Sequence, residues 1–117
     1  APPRNLGLDQ TAIAAVRQGL WEATHTTLGT SAGVFGGFPI DVSGKTGTAE
    51  KWSNEHYRYL DQSWWCGYGP SESPTLVVCS VIENGGFGAE AAAPAALKLF
   101  EKHFGEKAPP IQEVPSD

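Results

Sequence analysis

The chain has 117 residues, enough for one small domain with a single core. Thirteen acidic and eight basic residues give a formal net charge of −5, which disfavours a nucleic-acid partner because such binders are usually basic. No apolar run approaches the ~18 residues of a membrane span, and Cys66 and Cys79 are too few for a four-cysteine zinc site. Because its three histidines are scattered along the sequence, we expect no metal and no cofactor.

The first predicted element is an amphipathic helix over about residues 10–23. Asp9 is a suitable N-cap, because its carboxylate can accept hydrogen bonds from the N–H groups of the first turn. After Asp9, the apolar residues Ile13, Val16 and Leu20 recur at helical spacing. This spacing predicts a helix with one apolar face.

Three strands are predicted beyond a loop at 24–39, which shows no periodicity. The last of the three, TLVVCSVI, is almost continuously apolar, as in a central strand that is covered on both faces. We expect the strands over residues 40–50, 63–70 and 75–82. A polar loop at 51–62 separates the first two, and a tight turn at 71–74 makes the last two antiparallel.

The turn at 71–74 also sets a register for the two cysteines. If Pro70 lies opposite Thr75, paired residues have numbers that sum to about 145, and Cys66 and Cys79 meet this condition. Opposed Cα atoms on antiparallel strands are roughly 4.5–5.5 Å apart, within the range that a disulfide tolerates. The register therefore predicts close approach of the two cysteines. Free thiols packed as small apolar side chains remain an alternative to a bond.

A helix over about residues 90–104 completes the predicted fold. Pro94 is compatible with its first turn, and Gly105 ends it.

The order helix, strand, strand, strand, helix is an α+β arrangement. Three strands with helices fold alone only marginally, and both faces are apolar, so we expect more protein against this sheet. Residues 105–117 are Pro-rich and are predicted to form a mobile tail.

The segment SGKTGTAE, residues 43–50, carries the candidate chemistry. Residues 44–46, GKT, match the last three positions of the phosphate-loop motif. That motif, however, needs a glycine where Pro39 stands and a helix after the lysine. A Lys-Thr-Gly strand is instead a motif of penicillin-recognising serine enzymes. In such a strand, Lys45 and Thr46 offer a positive charge and a hydroxyl to a terminal carboxylate. Gly47 lets a substrate backbone come close to an edge strand.

The wider sequence resembles the C-terminal part of the transpeptidase domain of class B penicillin-binding proteins, most of all the elongation-type penicillin-binding protein 2 subgroup. The resemblance rests on VSGKTGTAEKW, SWWCGYGPSES and VVCSVIENGGFGAEAAAPAALKLF, and it extends over about residues 8–104. It implies the β-lactamase-like transpeptidase fold, with residues 1–104 as a C-terminal subdomain that is incomplete alone. The family's Ser-x-x-Lys and Ser-x-Asn motifs are absent from these 117 residues. We therefore expect one piece of a two-chain assembly, whose other part carries the nucleophile.

The resemblance implies a peptidoglycan D,D-transpeptidase that forms a serine acyl-enzyme and binds β-lactams covalently when complete. Lys45, Thr46 and Gly47 would bind the carboxylate of a stem peptide or a β-lactam, and the Thr48 N–H would be one oxyanion-hole donor. The implied partners are the upstream part of the same protein, a membrane glycosyltransferase and the elongation machinery. The implied location is the outer face of the bacterial cytoplasmic membrane, with an upstream anchor. A disulfide could persist there.

Two other functions stay open at this point. A β-lactamase or D,D-carboxypeptidase would release bound penicillin rapidly. A penicillin-sensing receptor domain would acylate without turnover and would be joined to a signalling membrane module. Both rivals would use the same Lys-Thr-Gly strand, so the motif alone does not separate them.

Two groups of aromatic-rich residues have less specific interpretations. The aromatic residues of the second predicted strand are interpreted as core and cleft wall, because aromatic side chains usually pack. They are Trp64, Trp65 and Tyr68. The predicted loop that precedes them either lines the substrate entrance or is simply exposed, and its relevant residues are His56, Tyr57 and Arg58.

Overall fold

The computed structural model describes residues 1–110, and these residues form three helices and three strands. In chain order they are α1 (Gln10–His25), α2 (Ala32–Phe35), β1 (Ser43–Ser53), β2 (Arg58–Gly69), β3 (Leu76–Ile82) and α3 (Ala92–Phe104). The strands form one antiparallel sheet in the order β1-β2-β3, which confirms the predicted α+β fold. Residues 111–117 of the predicted tail lie outside the described residues.

The hairpin of β1 and β2 is longer than the sequence predicts. The two strands stay paired as far as Ser53 and Arg58, so the predicted loop at 51–62 is wrong. The sequence does not show these strand ends because this part of the hairpin is exposed and therefore needs no alternating apolar residues. Trp52 and Tyr59 pair across the two strands with ring centroids 5.3 Å apart, and such cross-strand aromatic pairs stabilise a hairpin.

Within residues 1–110, β3 is an edge strand and not the central strand that the sequence predicts. Among residues 1–110 it pairs only with β2, and β2 is the middle strand. Val78 of β3 is 6% exposed, whereas Val77 and Val81 on the other face are 69% and 47% exposed. The apolar run shows that both faces of β3 suit an apolar environment. The described residues cover only one of them.

The core lies between the sheet and the helices α2 and α3. Trp65 of β2 is fully buried, and Phe35 of α2 stacks on it with ring centroids 4.5 Å apart. Phe100 of α3 meets both rings edge-on. Aromatic pairs of this kind stabilise a core by about 0.5–1.5 kcal/mol beyond the area that they bury. The interpretation of Trp65 as a core residue is confirmed.

Both long helices begin and end within two residues of their predicted bounds. The Asp9 carboxylate accepts hydrogen bonds from the N–H groups of Thr11 and Ala12 and so caps α1. Pro94 is the third residue of α3, where its missing N–H removes no intrahelical bond. Gly105 ends α3 with a φ of 69°, the left-handed conformation that glycine adopts most easily.

An apolar groove of about 530 Å³ lies between α1 and β3. Its apolar lining includes Leu8, Ile13, Val16, Leu20, Tyr68 and Val77. The predicted apolar face of α1 therefore exists, but the described residues leave it open, since Val16 is 61% exposed. None of the helices in residues 1–110 combines the length and the hydropathy that crossing a membrane requires.

Candidate functional site

The predicted Lys-Thr-Gly segment lies on β1, which pairs only with β2 among the described residues. Lys45 is exposed, whereas the side chain of Thr46 lies on the packed face and the residue is only 7% exposed. Gly47 pairs with Trp64 of β2, on the same face of the sheet as Lys45. The segment thus lies along an edge of the sheet, where side chains of both faces can reach the same point.

The disulfide between Cys66 and Cys79 shows which backbone groups of β1 face outward. The two residues are directly opposite on β2 and β3, as predicted, and they are bonded. Their Cα atoms are 4.2 Å apart, which is typical of a non-hydrogen-bonded pair, so the backbone groups of Cys66 point toward β1. Lys45 is the β1 partner of Cys66, and its backbone groups therefore point toward β2. By alternation, the N–H groups of Thr46 and Thr48 point to the outer edge.

Three side chains meet at this edge. The Lys45 ammonium donates to Thr46 Oγ1 at 2.8 Å and to Thr30 Oγ1 at 3.3 Å, and the two hydroxyl oxygens are 2.7 Å apart. Lys45 Nζ also donates to the Thr46 carbonyl at 3.2 Å. We call Lys45, Thr46 and Thr30 the edge cluster. It places one positive charge and two hydroxyls beside outward N–H groups, a combination that suits the carboxylate of an extended peptide.

Thr30 is a site residue that the sequence analysis missed. It lies in the non-periodic segment after α1, so neither spacing nor a motif pointed to it. Hydrogen bonds hold α1 next to the start of β1 and fold this segment back onto α1. Thr24 Oγ1 donates to the Val42 carbonyl at 2.7 Å, and the Ser31 N–H donates to the Ala23 carbonyl at 3.1 Å.

Gly88 is a second residue that the sequence analysis missed. It lies in the connection between β3 and α3, it is buried, and it packs against β1. A Cβ atom at this position would clash with the Trp64 carbonyl oxygen of β2, and it would lie 2.8 Å from the Thr46 Cβ and 2.9 Å from the Gly47 carbonyl oxygen. Only glycine leaves β1 undisturbed here. The sequence predicted that the third strand ends at residue 82, but it did not show which element Gly88 approaches.

Side chains of β2 hold that connection in place. Ser63 is fully buried, donates to the Phe87 carbonyl at 2.8 Å and accepts from the Ala92 N–H at 3.0 Å. Its neighbour Gln62 donates to Asn84 Oδ1 at 3.2 Å and accepts from the Asn84 N–H at 3.1 Å. These bonds satisfy polar groups at the start of α3 and fix the backbone that lies behind the edge cluster.

His56, Tyr57 and Arg58 are exposed and lie at the far end of the β1–β2 hairpin. Ser53, the last residue of β1, lies eight positions after Lys45, which is roughly 26 Å of extended strand. The hairpin end is therefore remote from the edge cluster. Among residues 1–110, no three His, Cys, Asp or Glu side chains come together as metal ligands.

The chain matches the penicillin binding protein transpeptidase domain over residues 1–101 and belongs to this family. It is 30% identical over 109 residues to the peptidoglycan D,D-transpeptidase MrdA of Haemophilus influenzae. That alignment covers 85% of this chain and 17% of the relative. The chain thus spans about 17% of the length of the curated relatives that it matches.

Solved structures share the fold. The crystal structure of Pseudomonas aeruginosa PBP2 in complex with WCK 5153 matches with a TM-score of 0.74 and 25% identity, over 86% of this chain and 21% of that chain. The D,D-transpeptidase domain of a peptidoglycan glycosyltransferase from Eggerthella lenta matches with a TM-score of 0.64 and 36% identity, over 90% of this chain and 24% of that chain. The predicted family and fold are confirmed.

Proposed function

We propose that the chain forms the carboxylate-binding edge of the active site of a peptidoglycan D,D-transpeptidase. The edge cluster is the observation that carries the proposal, because it concentrates an ammonium and two hydroxyls beside outward backbone groups of β1. A stem peptide that ends in D-Ala-D-Ala would extend along β1 as an added strand. Its terminal carboxylate would be bound by Lys45 and Thr46. A β-lactam carboxylate would occupy the same position.

Gly47 and Thr48 continue this edge toward the reacting bond. Gly47 carries no side chain where the substrate backbone would lie, and the Thr48 N–H points to the outer edge. We assign the Thr48 N–H as one donor of the oxyanion hole, a contribution of typically about 10²- to 10³-fold in rate. The serine and the lysine of the nucleophile motif are absent from these 117 residues and would come from the remainder of the transpeptidase domain.

The remainder of the domain would pack on the open face of the sheet. The groove between α1 and β3 and the exposed valines of β3 support this arrangement. Burying one exposed valine stabilises a fold by about 1.5 kcal/mol or more. The packed part would bring a Ser-x-x-Lys helix near Lys45 and would complete the active site.

A transpeptidase with this substrate would work on the outer face of the bacterial cytoplasmic membrane, held by an anchor outside this chain. The disulfide between Cys66 and Cys79 supports an oxidising compartment. Stem peptides and β-lactams would reach the enzyme there. A membrane glycosyltransferase and the elongation machinery are its proposed protein partners, as the family resemblance implies.

Lys45→Ala in the intact protein tests the proposal. We expect the second-order rate of acylation by a fluorescent penicillin to fall by about 10- to 100-fold, because a charge-assisted hydrogen bond to the carboxylate is lost. The matched control is Lys51→Ala, which removes an exposed lysine from the same strand and should leave acylation unchanged. Equal acylation by Lys45→Ala and the wild type would contradict the proposal. Rapid release of the bound penicillin by the wild type would indicate a hydrolase instead.

A further inference from the structure

We infer that Thr30 is a positioning residue of the carboxylate site, and that it acts by orienting the hydroxyl of Thr46. The inference rests on the proposed function and adds to it a residue outside the Lys-Thr-Gly strand. Thr30 reaches the site from the segment between α1 and α2, where its Oγ1 lies 2.7 Å from Thr46 Oγ1.

The hydrogen-bonding capacity of a hydroxyl group gives the direction of this contact. A threonine hydroxyl has one hydrogen to donate and two sites to accept. Thr46 Oγ1 already accepts from Lys45 Nζ at 2.8 Å, and a hydrogen bond donated by Thr30 would fill its second site. The Thr46 hydrogen then has to point elsewhere. A carboxylate only accepts hydrogen bonds, so its arrival at Thr46 selects this arrangement.

The contact between Lys45 and Thr30 also favours a hydrogen bond donated by Thr30 to Thr46. Its ammonium donates to Thr30 Oγ1 at 3.3 Å and so occupies one acceptor site of Thr30. The Thr30 hydrogen remains to be donated to Thr46. Successive hydrogen bonds therefore run from Lys45 to Thr30, from Thr30 to Thr46, and from Thr46 to the substrate carboxylate. Charge-assisted hydrogen bonds connected in this way strengthen one another.

The backbone on both sides of Thr30 is fixed before a ligand binds. Gly29 is buried, and its N–H donates to the Thr26 carbonyl at 2.9 Å. Ser31 is fully buried and accepts a hydrogen bond from the indole N–H of Trp65 at 3.3 Å. Because its neighbours are held in this way, Thr30 loses little conformational freedom when the site is occupied.

Thr30→Val and Thr30→Ser in the intact protein test the inference. Valine keeps the shape of threonine and removes the hydroxyl, whereas serine keeps the hydroxyl. Acylation rates are measured with a β-lactam that has a free carboxylate and with its methyl ester. We expect Thr30→Val to lower the rate for the acid by roughly 3- to 10-fold and to leave the rate for the ester unchanged. Thr30→Ser should retain the acid-to-ester ratio of the wild type.

The acid-to-ester ratio separates positioning from folding. A variant that merely destabilises the protein lowers both rates equally and leaves the ratio unchanged, which would overturn the inference. If Thr30→Val does not fold, Thr30→Ala replaces it, since alanine also lacks the hydroxyl. Lys45→Ala separates the two proposals: a reduced ratio there with an unchanged ratio in Thr30→Val contradicts only this inference. An unchanged ratio in Lys45→Ala contradicts the proposed function as well.

Discussion

Gly88 and Thr46 are so close that a methyl group on Gly88 would lie 2.8 Å from the Thr46 Cβ. Gly88→Ala should therefore displace β1 at the edge cluster and lower the free energy of unfolding by about 1–3 kcal/mol, as overpacking usually does. Gly69→Ala is the matched control, because its Cβ would be crowded by Val42 at 3.1 Å and by Phe100 at 3.3 Å, away from the cluster. Both variants should lose stability in denaturant titrations of the intact protein.

The acylation rate distinguishes the two glycine variants. Measured under conditions where both proteins are folded, Gly88→Ala should acylate more slowly than Gly69→Ala, because only Gly88 lies behind β1 at Thr46. The same acylation rate in both would show that the connection between β3 and α3 does not position the edge cluster.

Ser63 offers a second test of that connection. Its buried hydroxyl bonds the Phe87 carbonyl and the Ala92 N–H, so Ser63→Ala leaves two polar groups without this partner. A buried polar group that loses its hydrogen bond typically costs about 1–3 kcal/mol. We expect Ser63→Ala to lower the free energy of unfolding by that amount, whereas Ser73→Ala in the exposed turn should change it little. Identical denaturation curves for the two variants would be inconsistent with this role.

The parts of the fold that depend on local rules could be predicted from the sequence. Asp9 and Gly105 mark helix ends because capping involves only neighbouring residues. The opposition of Cys66 and Cys79 followed from one short turn, which sets the register of two strands. The Lys-Thr-Gly segment could be recognised because its motif consists of consecutive residues in the sequence.

The remaining features depend on contacts between distant segments. The edge position of β3 within residues 1–110 was missed because an apolar sequence does not show which other segment covers it. Thr30 and Gly88 were missed because each meets β1 from a segment with no periodic pattern. Thr30 meets its partner Thr46 across a separation of 16 residues, and only the folded chain shows this.

The disulfide between Cys66 and Cys79 should stabilise the pairing of β2 and β3. The bond closes a loop with a sequence separation of 13, for which the chain-entropy estimate is about 3 kcal/mol. We expect a reducing agent to lower the free energy of unfolding of the intact protein by about 2–3 kcal/mol in denaturant titrations. The double variant Cys66→Ala, Cys79→Ala should be insensitive to the same agent. A wild-type curve that does not change on reduction would refute this contribution.

Glu101 of α3 should make the stability of the protein depend on pH. The Ala108 N–H donates to its carboxylate at 2.9 Å, and Lys98 Nζ donates at 3.1 Å, so these contacts hold the pKa of Glu101 below its ordinary value. The contacts also tie Ala108, within the predicted tail, back to α3. Because the pKa is lower in the folded state, the charged carboxylate stabilises the fold at a pH above the unfolded value of about 4.3.

This stabilisation should be lost as the pH falls through the lowered pKa of Glu101 in the folded protein. Glu101→Gln keeps the shape of the side chain but cannot ionise, so the variant should be less stable near neutral pH and should lose less further stability on acidification. Glu106→Gln, which neutralises an exposed carboxylate five residues further along the chain, is the matched control and should follow the wild type. Unfolding midpoints measured between about pH 7 and pH 3 compare the three proteins. If Glu101→Gln and Glu106→Gln show the same pH profile, the contacts of Glu101 with Ala108 and Lys98 do not stabilise the fold.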